Sequence, residues 1–298
     1  MQRRNFIVVA ATSLVLLAGL AGTGTAGLPY QSPWTIFVTS DREGKDTDIY
    51  GMNADGTNVR TLTNSPKFDG GGELSPNGRK ILFYSQRSPN GDVWVMNADG
   101  SGQRNLSRNV AHDSGGSWSP DGRRIAFDTN RDGNGEIYVM NADGSGQRIL
   151  SSSPSSQEDN PQWSPDGRTI AFHTDRDGNP ELYAMNADGS DPRNLTRNAA
   201  YDGPGLWSPN SRTIVFASAR DTDDQDNTEL YVMNADGSKV RRLTRTPGLE
   251  YPLGWSPDGK KLAFQRLPSM PRWAFYVMNA DGSGVKKVNW SLHGRKQS

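Results

Sequence analysis

The chain has 298 residues, enough for one large domain or two small ones. Its 33 Lys+Arg balance 33 Asp+Glu, which removes the basic face that nucleic-acid binding needs. Cys is absent, so disulfides, thiolate nucleophiles and Cys-ligated metals are excluded; 33 Gly and 18 Pro in a chain only 33% hydrophobic point to many short strands joined by turns.

In chain order, the N-terminus reads as a separate message. Arg3 and Arg4 precede an apolar run from Phe6 to Leu20, and "AGTGTAG" then offers small residues for cleavage after Ala26. The run has about 15 residues, fewer than the ~20 that span a bilayer. "RRNFI" is similar to a twin-arginine export signal; an ordinary secretory signal and an uncleaved anchor are the alternatives. Residues 1–26 are thus expected to be a signal peptide, with no membrane span after its removal, and 27–298 a single domain that is periplasmic or secreted.

The next feature is a repeat. "MNADG" begins at Met52, Met96, Met140, Met185, Met233 and Met278, at intervals of 44, 44, 45, 48 and 45 residues. A period of 40–50 residues marks a propeller or solenoid, whose units cannot bury their apolar faces alone. In one unit, "NPQWS" (Asn160–Ser164) is an inner strand and "SPDG" a turn. "TIAFHT" (Thr169–Thr174) and "ELYAMN" (Glu181–Asn186) are the middle strands, joined by the polar hairpin "DRDGNP". "NADG" is a second turn and "PRNLT" (Pro192–Thr196) the outer strand. Four antiparallel strands repeated six times predict an all-β, six-bladed β-propeller. The first unit lacks an ordinary inner strand; "GLPYQS" (Gly27–Ser32) or a C-terminal clasp, "NWSLHGRK" (Asn289–Lys296), is expected to fill that place, the former preferred.

"WSPDG" at Trp118, Trp163 and Trp255, "WSPNS" at Trp207, "LSPNG" at Leu74 and "IYVMNADG" (Ile137–Gly144) resemble the WD40-like PD40 repeat of TolB-type propellers. The resemblance covers residues 35–290 and implies an envelope protein that binds other envelope proteins. TolB itself carries an additional N-terminal α/β domain, whereas here the propeller follows the signal almost directly, so the chain resembles a stand-alone TolB-like propeller.

Uniform positions read as scaffold. Trp118, Trp163, Trp207 and Trp255 recur at one place and are expected to pack between blades, as is the series Tyr50, Tyr138, Tyr183, Tyr231 and Tyr276, with Trp94 in the second unit. Met52 and its counterparts are expected on the other face of the same strand. The Asp of each "NADG" bonds its own turn rather than a metal. "RDGNGE" (Arg131–Glu136) fails the calcium-loop spacing, since the twelfth position from Asp128 is Val139, not Glu. The basic residues four after each turn Gly (Arg60, Arg104, Arg148, Arg193, Arg241, Lys286) are expected to blunt the exposed blade edge.

Function is sought on the opposite face, where the loops differ ("TNSPKFDGGG", "SRNVAHDSGG", "SSSPSSQEDNP", "TRNAAYDGPG", "TRTPGLEYPL"). Five residues before each Trp, or its Leu substitute, stands an acid: Asp69, Asp113, Glu158, Asp202 or Glu250. Phe68, His112, Gln157, Tyr201 and Leu249 precede them. The acids either ring the channel mouth, attracting a cation or a basic segment of a partner with Phe68, His112 and Tyr201 beside them, or cap local backbone. The favoured expectation is a monomeric, non-catalytic module that binds an envelope protein or peptide there without a cofactor; a channel-bound Ca2+ or other divalent ion stays open. The alternatives are a metal-dependent enzyme acting on a sugar acid or lactone, with a carboxylate-only site drawn from Asp69, Asp113, Glu158 and Asp202, and a glycan-binding module using Tyr201, Tyr251 and Phe68. No G-x-S-x-G elbow occurs. The acidic insertion "RDTDDQDNTE" (Arg220–Glu229) is expected to be solvated, with calcium binding the alternative.

Overall fold

The computed structural model describes residues 14–16, 36–40, 47–52, 58–222, 227–267 and 274–288. They form strands and turns without a helix, arranged as six four-stranded antiparallel sheets. No helix among them is long and apolar enough to cross a membrane. Five sheets follow the repeat strand for strand. In the fourth, the strands are Glu158–Trp163, Thr169–Thr174, Glu181–Asn186 and Arg193–Asn194. The middle pair matches the sequence reading to the residue, because β-branched and aromatic alternation and the flanking turns are local signals.

The outer strand is shorter than expected, and side chains explain why. Leu195 N still donates to Leu182 O (2.9 Å), but the next ladder position goes to a hydroxyl, with Leu182 N donating to Thr196 Oγ1 (3.1 Å). Thr63, Ser107, Ser151 and Thr244 accept the same way from Ile49, Val93, Ile137 and Leu230. Each of the five inner strands that follow the repeat carries a register shift. There Gly71, Gly115 and Asn160 take positive φ, and Pro161, Pro204 and Pro252 fit a strand that pairs on one side only.

The first sheet consists of Leu14–Leu16, Ile36–Ser40, Asp48–Met52 and Arg60–Thr61. Its fourth strand is thus neither expected segment: Leu14, Val15 and Leu16 pair with Val38, Phe37 and Ile36. Residues 27–32 and 289–296 lie outside the described residues. The Leu14–Leu16 strand also lies against Leu249–Trp255 of the sixth sheet, closing the ring. It comes from the stretch read as an export signal, so removal of that stretch vacates the edge of Ile36–Ser40.

The core sits in the seams between sheets. Leu82, Val93 and Val95 of the second sheet (Asp69–Leu74, Lys80–Ser85, Asp92–Asn97, Arg104–Asn105) pack on Trp118, Ile125, Phe127, Tyr138 and Met140 of the third. The pattern repeats at the next seam with Trp163, Phe172, Tyr183 and Met185. Tyr138 and Met140 therefore share one face, as residues two apart in a strand must, which corrects the expectation that Met occupies the other face. The tryptophans do pack between sheets, and Trp118, Trp207 and Trp255 donate Nε1–H to the Glu73, Gln162 and Leu206 carbonyls of the preceding inner strand.

Candidate functional site

The five acids stand at the start of the inner strands, on the face of the variable loops, and all five are 0% exposed. Each meets an arginine that leaves the end of its own second strand: Arg87 with Asp69 (2.5 Å), Arg131 with Asp113 (3.2 Å), Arg176 with Glu158, Arg220 with Asp202 (2.9 Å) and Arg266 with Glu250 (2.5 Å). Each guanidinium also lies over two rings of its own sheet, Phe127 and Tyr138 for Arg131 (5.5 and 4.7 Å), Phe216 and Tyr231 for Arg220 (both 5.1 Å). The carboxylates are therefore neutralised inside the sheets. They present no free negative charge to a partner, which corrects the expected acidic funnel. The Arg series was legible, one per repeat and 18 residues after the first four acids.

Further conserved-in-repeat chemistry is structural. The third strands open on Asp48, Asp92, Glu136, Glu181 and Glu229, all buried. Asp92 accepts from Asn105 Nδ2 (2.7 Å) and Ser107 Oγ (2.8 Å), and Glu181 from Asn198 N (2.7 Å), so these acids hold the loop between outer strand and next sheet. In the "RDGN" hairpins, Asp132 and Asp177 accept from Tyr138 and Tyr183 hydroxyls, while Asn134 Nδ2 donates to Ser153 O (2.9 Å) and Ser156 O (2.8 Å). On the other face, Asp99 of "NADG" accepts from Ser101 Oγ (2.6 Å) and N (2.9 Å), which holds its carboxyl below the usual range. Arg104 and Arg241 do more than blunt an edge: they donate to the Asp143 (3.0 Å) and Asp281 (2.9 Å) carbonyls of the following sheet's turn.

What the variable face does expose lies beside the acids. His112 and Phe68 flank Tyr84, with ring centroids 5.6 and 6.0 Å away and His112 Nε2 3.3 Å from the Tyr84 hydroxyl. Val110, 89% exposed, stands two residues before His112, its carbonyl held by Asn90 Nδ2. Tyr201 lies apart from that trio, 5.9 Å from His173, whose Nδ1 is 3.2 Å from Asp159 Oδ1. Burial raises the pKa of Tyr201, keeping it a neutral phenol. Tyr84 and His173 were missed by the sequence reading, although both occupy the penultimate position of a second strand.

Asp128 shares that penultimate position. Burial, reinforced by the neighbouring Asp159 charge, raises its pKa to about 7 despite the Ser114 hydroxyl (2.6 Å) and Asn160 N–H (3.2 Å). With the folded value above the unfolded one, its protonated form favours the fold below about pH 4, and that contribution is lost as pH rises through about 7. Asp128→Asn is therefore expected to raise the melting temperature at pH 8 and to give a progressively smaller gain toward pH 5, as checked by melts across that range.

Among the described residues no group of three or more His, Asp or Glu is placed to hold a metal ion. Asp69, Asp113, Glu158 and Asp202 lie in different sheets, each with its own arginine, and do not form the carboxylate-only site considered above.

Among proteins of curated function none matches the chain in sequence. Among solved structures, TolB from Acinetobacter baumannii superposes with a TM-score of 0.66 at 20% identity, over 84% of this chain and 58% of that one, so the chain spans little more than half of that protein. A putative TolB from Agrobacterium tumefaciens gives 0.66 at 24% identity, covering 77% and 83%. Oligogalacturonate lyase from Vibrio parahaemolyticus gives 0.62 at 14% identity, covering 85% and 73%. At these identities the likeness establishes the propeller fold alone, and a fold does not by itself assign a function. The TolB β-propeller domain model matches residues 61–160 and 101–225, more than half of the sequence, and the chain belongs to that family.

Proposed function

We propose that this propeller is a non-catalytic binding module of the cell envelope, exported to the periplasm or beyond, that takes a segment of another envelope protein on its variable-loop face. The observation that carries this reading is the set of exposed or half-buried rings, Phe68, Tyr84 and His112 with Tyr201 and His173, on one face whose five strand-opening acids are buried and paired with arginines. Such a surface gives contact area at low entropic cost and selects by shape and hydrogen bonding more than by net charge. Its partner therefore need not be basic.

Alanine at Asp69, Asp113 or Asp202 would report folding, because each leaves a half-buried arginine without its carboxylate. The informative variant is Phe68→Ala/His112→Ala/Tyr201→Ala, whose side chains are not part of the ion pairs. We expect it to melt near the wild type yet lose a specific partner recovered from envelope extract, while Asp188→Ala on the opposite face retains that partner. Equal recovery by the triple variant and the wild type would exclude this face as the binding site.

A further inference from the structure

The first sheet is incomplete on the variable-loop face. In the other five sheets the opening acid of the inner strand stands opposite the end of the second strand: Asp69 with Ser85, Asp113 with Thr129, Glu158 with Thr174, Asp202 with Ser218 and Glu250 with Arg266. In the first sheet, Leu14–Leu16 pairs with Ile36, Phe37 and Val38 only. Thr39 and Ser40 pair with Ile49 and Asp48 on their other side and, among the described residues, with no inner strand. This opening lies between the inner strands Asp69–Leu74 and Leu249–Trp255, whose entries carry Phe68 and Leu249. Removal of the export stretch extends it to the whole edge of Ile36–Ser40.

The repeat also limits what the exported chain can return to that edge. Each inner strand ends on a residue paired seven places ahead: Leu74 with Ile81, Trp118 with Ile125, Trp163 with Ile170, Trp207 with Ile214 and Trp255 with Leu262. The same spacing from Ile36 reaches back to Pro29, and the acid's place, five earlier, is Gly24. A chain cut after Ala26 therefore supplies at most Gly27, Leu28 and Pro29, the three places farthest from the variable loops. The alternative clasp, "NWSLHGRK", contains no acid. Yet the sequence keeps the cation of the missing pair. Arg42 stands two after Ser40, as Arg87, Arg131, Arg176 and Arg220 do after Ser85, Thr129, Thr174 and Ser218. The vacant places are those of an extended segment that opens on a carboxylate.

An open strand edge is a template for a further strand: main-chain hydrogen bonds supply affinity, and alternate side chains supply selectivity. We propose that the exported propeller takes an extended segment of its partner, bearing Asp or Glu, as the inner strand of the first sheet. The segment runs antiparallel to Ile36–Ser40, with its carboxylate at the Ser40 end. This rests on the reading above, an exported module that binds an envelope protein, and specifies the form and charge of the segment bound.

The test uses the exported protein purified from the cell envelope, its first residue read by N-terminal sequencing, beside the full chain produced without export. The probe is a fluorescent synthetic peptide copying residues 199–208, which contain this chain's own inner strand Asp202–Trp207. By fluorescence anisotropy the exported protein should bind it saturably. The full chain should bind about tenfold more weakly or less, because Leu14–Leu16 competes from within the molecule. The same peptide with Asp202→Asn should also bind about tenfold more weakly, having lost its charge-assisted bonds. Hydrogen exchange should slow over 36–40 when the parent peptide is added. An exported protein that retains Leu14–Leu16, no saturable binding, equal binding by the full chain or of the Asn peptide, or protection away from 36–40 would each overturn the proposal. Filling of the edge by 27–32 or 289–296 would appear as the absence of binding. If the peptide fails while the exported protein still captures an envelope partner through Phe68, His112 and Tyr201, the strand proposal falls and the reading of that face stands.

Discussion

Arg220→Ala should lower the stability of the propeller by about 3–5 kcal/mol, the cost of stranding a buried charge whose partner has been removed. Asp202 is wholly buried and both its oxygens are held by Arg220 Nη2, at 2.9 and 3.0 Å. Arg220 Nε donates to Ser218 Oγ (2.9 Å) and the guanidinium plane lies over Phe216 and Tyr231. One side chain thus joins the inner strand, the second strand and the third strand of the same sheet. Arg220→Lys should restore little, because an ammonium supplies neither the planar face for two rings nor the fork for carboxylate and hydroxyl together. Replacing both partners, Asp202→Asn with Arg220→Met, should cost much less than the sum of the single changes, since no buried charge is then orphaned. Equilibrium urea unfolding of the wild type, these variants and the two single changes Asp202→Asn and Arg220→Met measures each term. A loss below about 1 kcal/mol for Arg220→Ala would place the pair with exposed ion pairs and remove its structural role.

That pairing also shows what was legible in the sequence. The blades were readable because their signals are local: "SPDG" and "NADG" set the turns, and alternation set Thr169–Thr174 and Glu181–Asn186. The acids were found by their fixed distance from Trp, but their meaning was not. An isolated Asp113 reads as surface charge; only the hairpin that brings Arg131 back across the sheet shows it as half of a buried pair. The missed information was a correlation between two repeats of charge, not a motif. The same holds for Tyr84 and His173, whose ring contacts with His112 and Tyr201 cross from one sheet to the next. Ring closure is the least local property of all, since the strand that completes the first sheet depends on which distant segment reaches it. By contrast, the common face of Tyr138 and Met140 followed from their spacing of two and was available from the start.

Gly189→Ala should be more damaging than Gly178→Ala by about 2 kcal/mol, although both glycines have nearly the same backbone. Gly178 has φ +98° and Gly189 φ +95°, so each substitution carries the conformational cost of about 1–2 kcal/mol for a side chain in that region. A Cβ at Gly178 would meet nothing within 4 Å, whereas one at Gly189 would lie 2.5 Å from Leu150 O in the preceding sheet. That contact is with backbone and cannot be relieved by a rotamer change. Leu62, Leu106, Leu195 and Leu243 present the same carbonyl to Gly100, Gly144, Gly237 and Gly282, at 2.6–2.8 Å. The "NADG" turn is therefore a gauge of blade spacing: its Asp bonds its own turn, and its Gly lets the turn sit against the neighbouring outer strand. Asp188→Ala, which alters only the turn's exposed internal bonds, should cost less than Gly189→Ala. Comparing the three by urea unfolding separates turn conformation from seam contact. Equal losses for Gly178→Ala and Gly189→Ala would mean that the seam yields to an added methyl, and that the repetition of "NADG" answers to the turn alone.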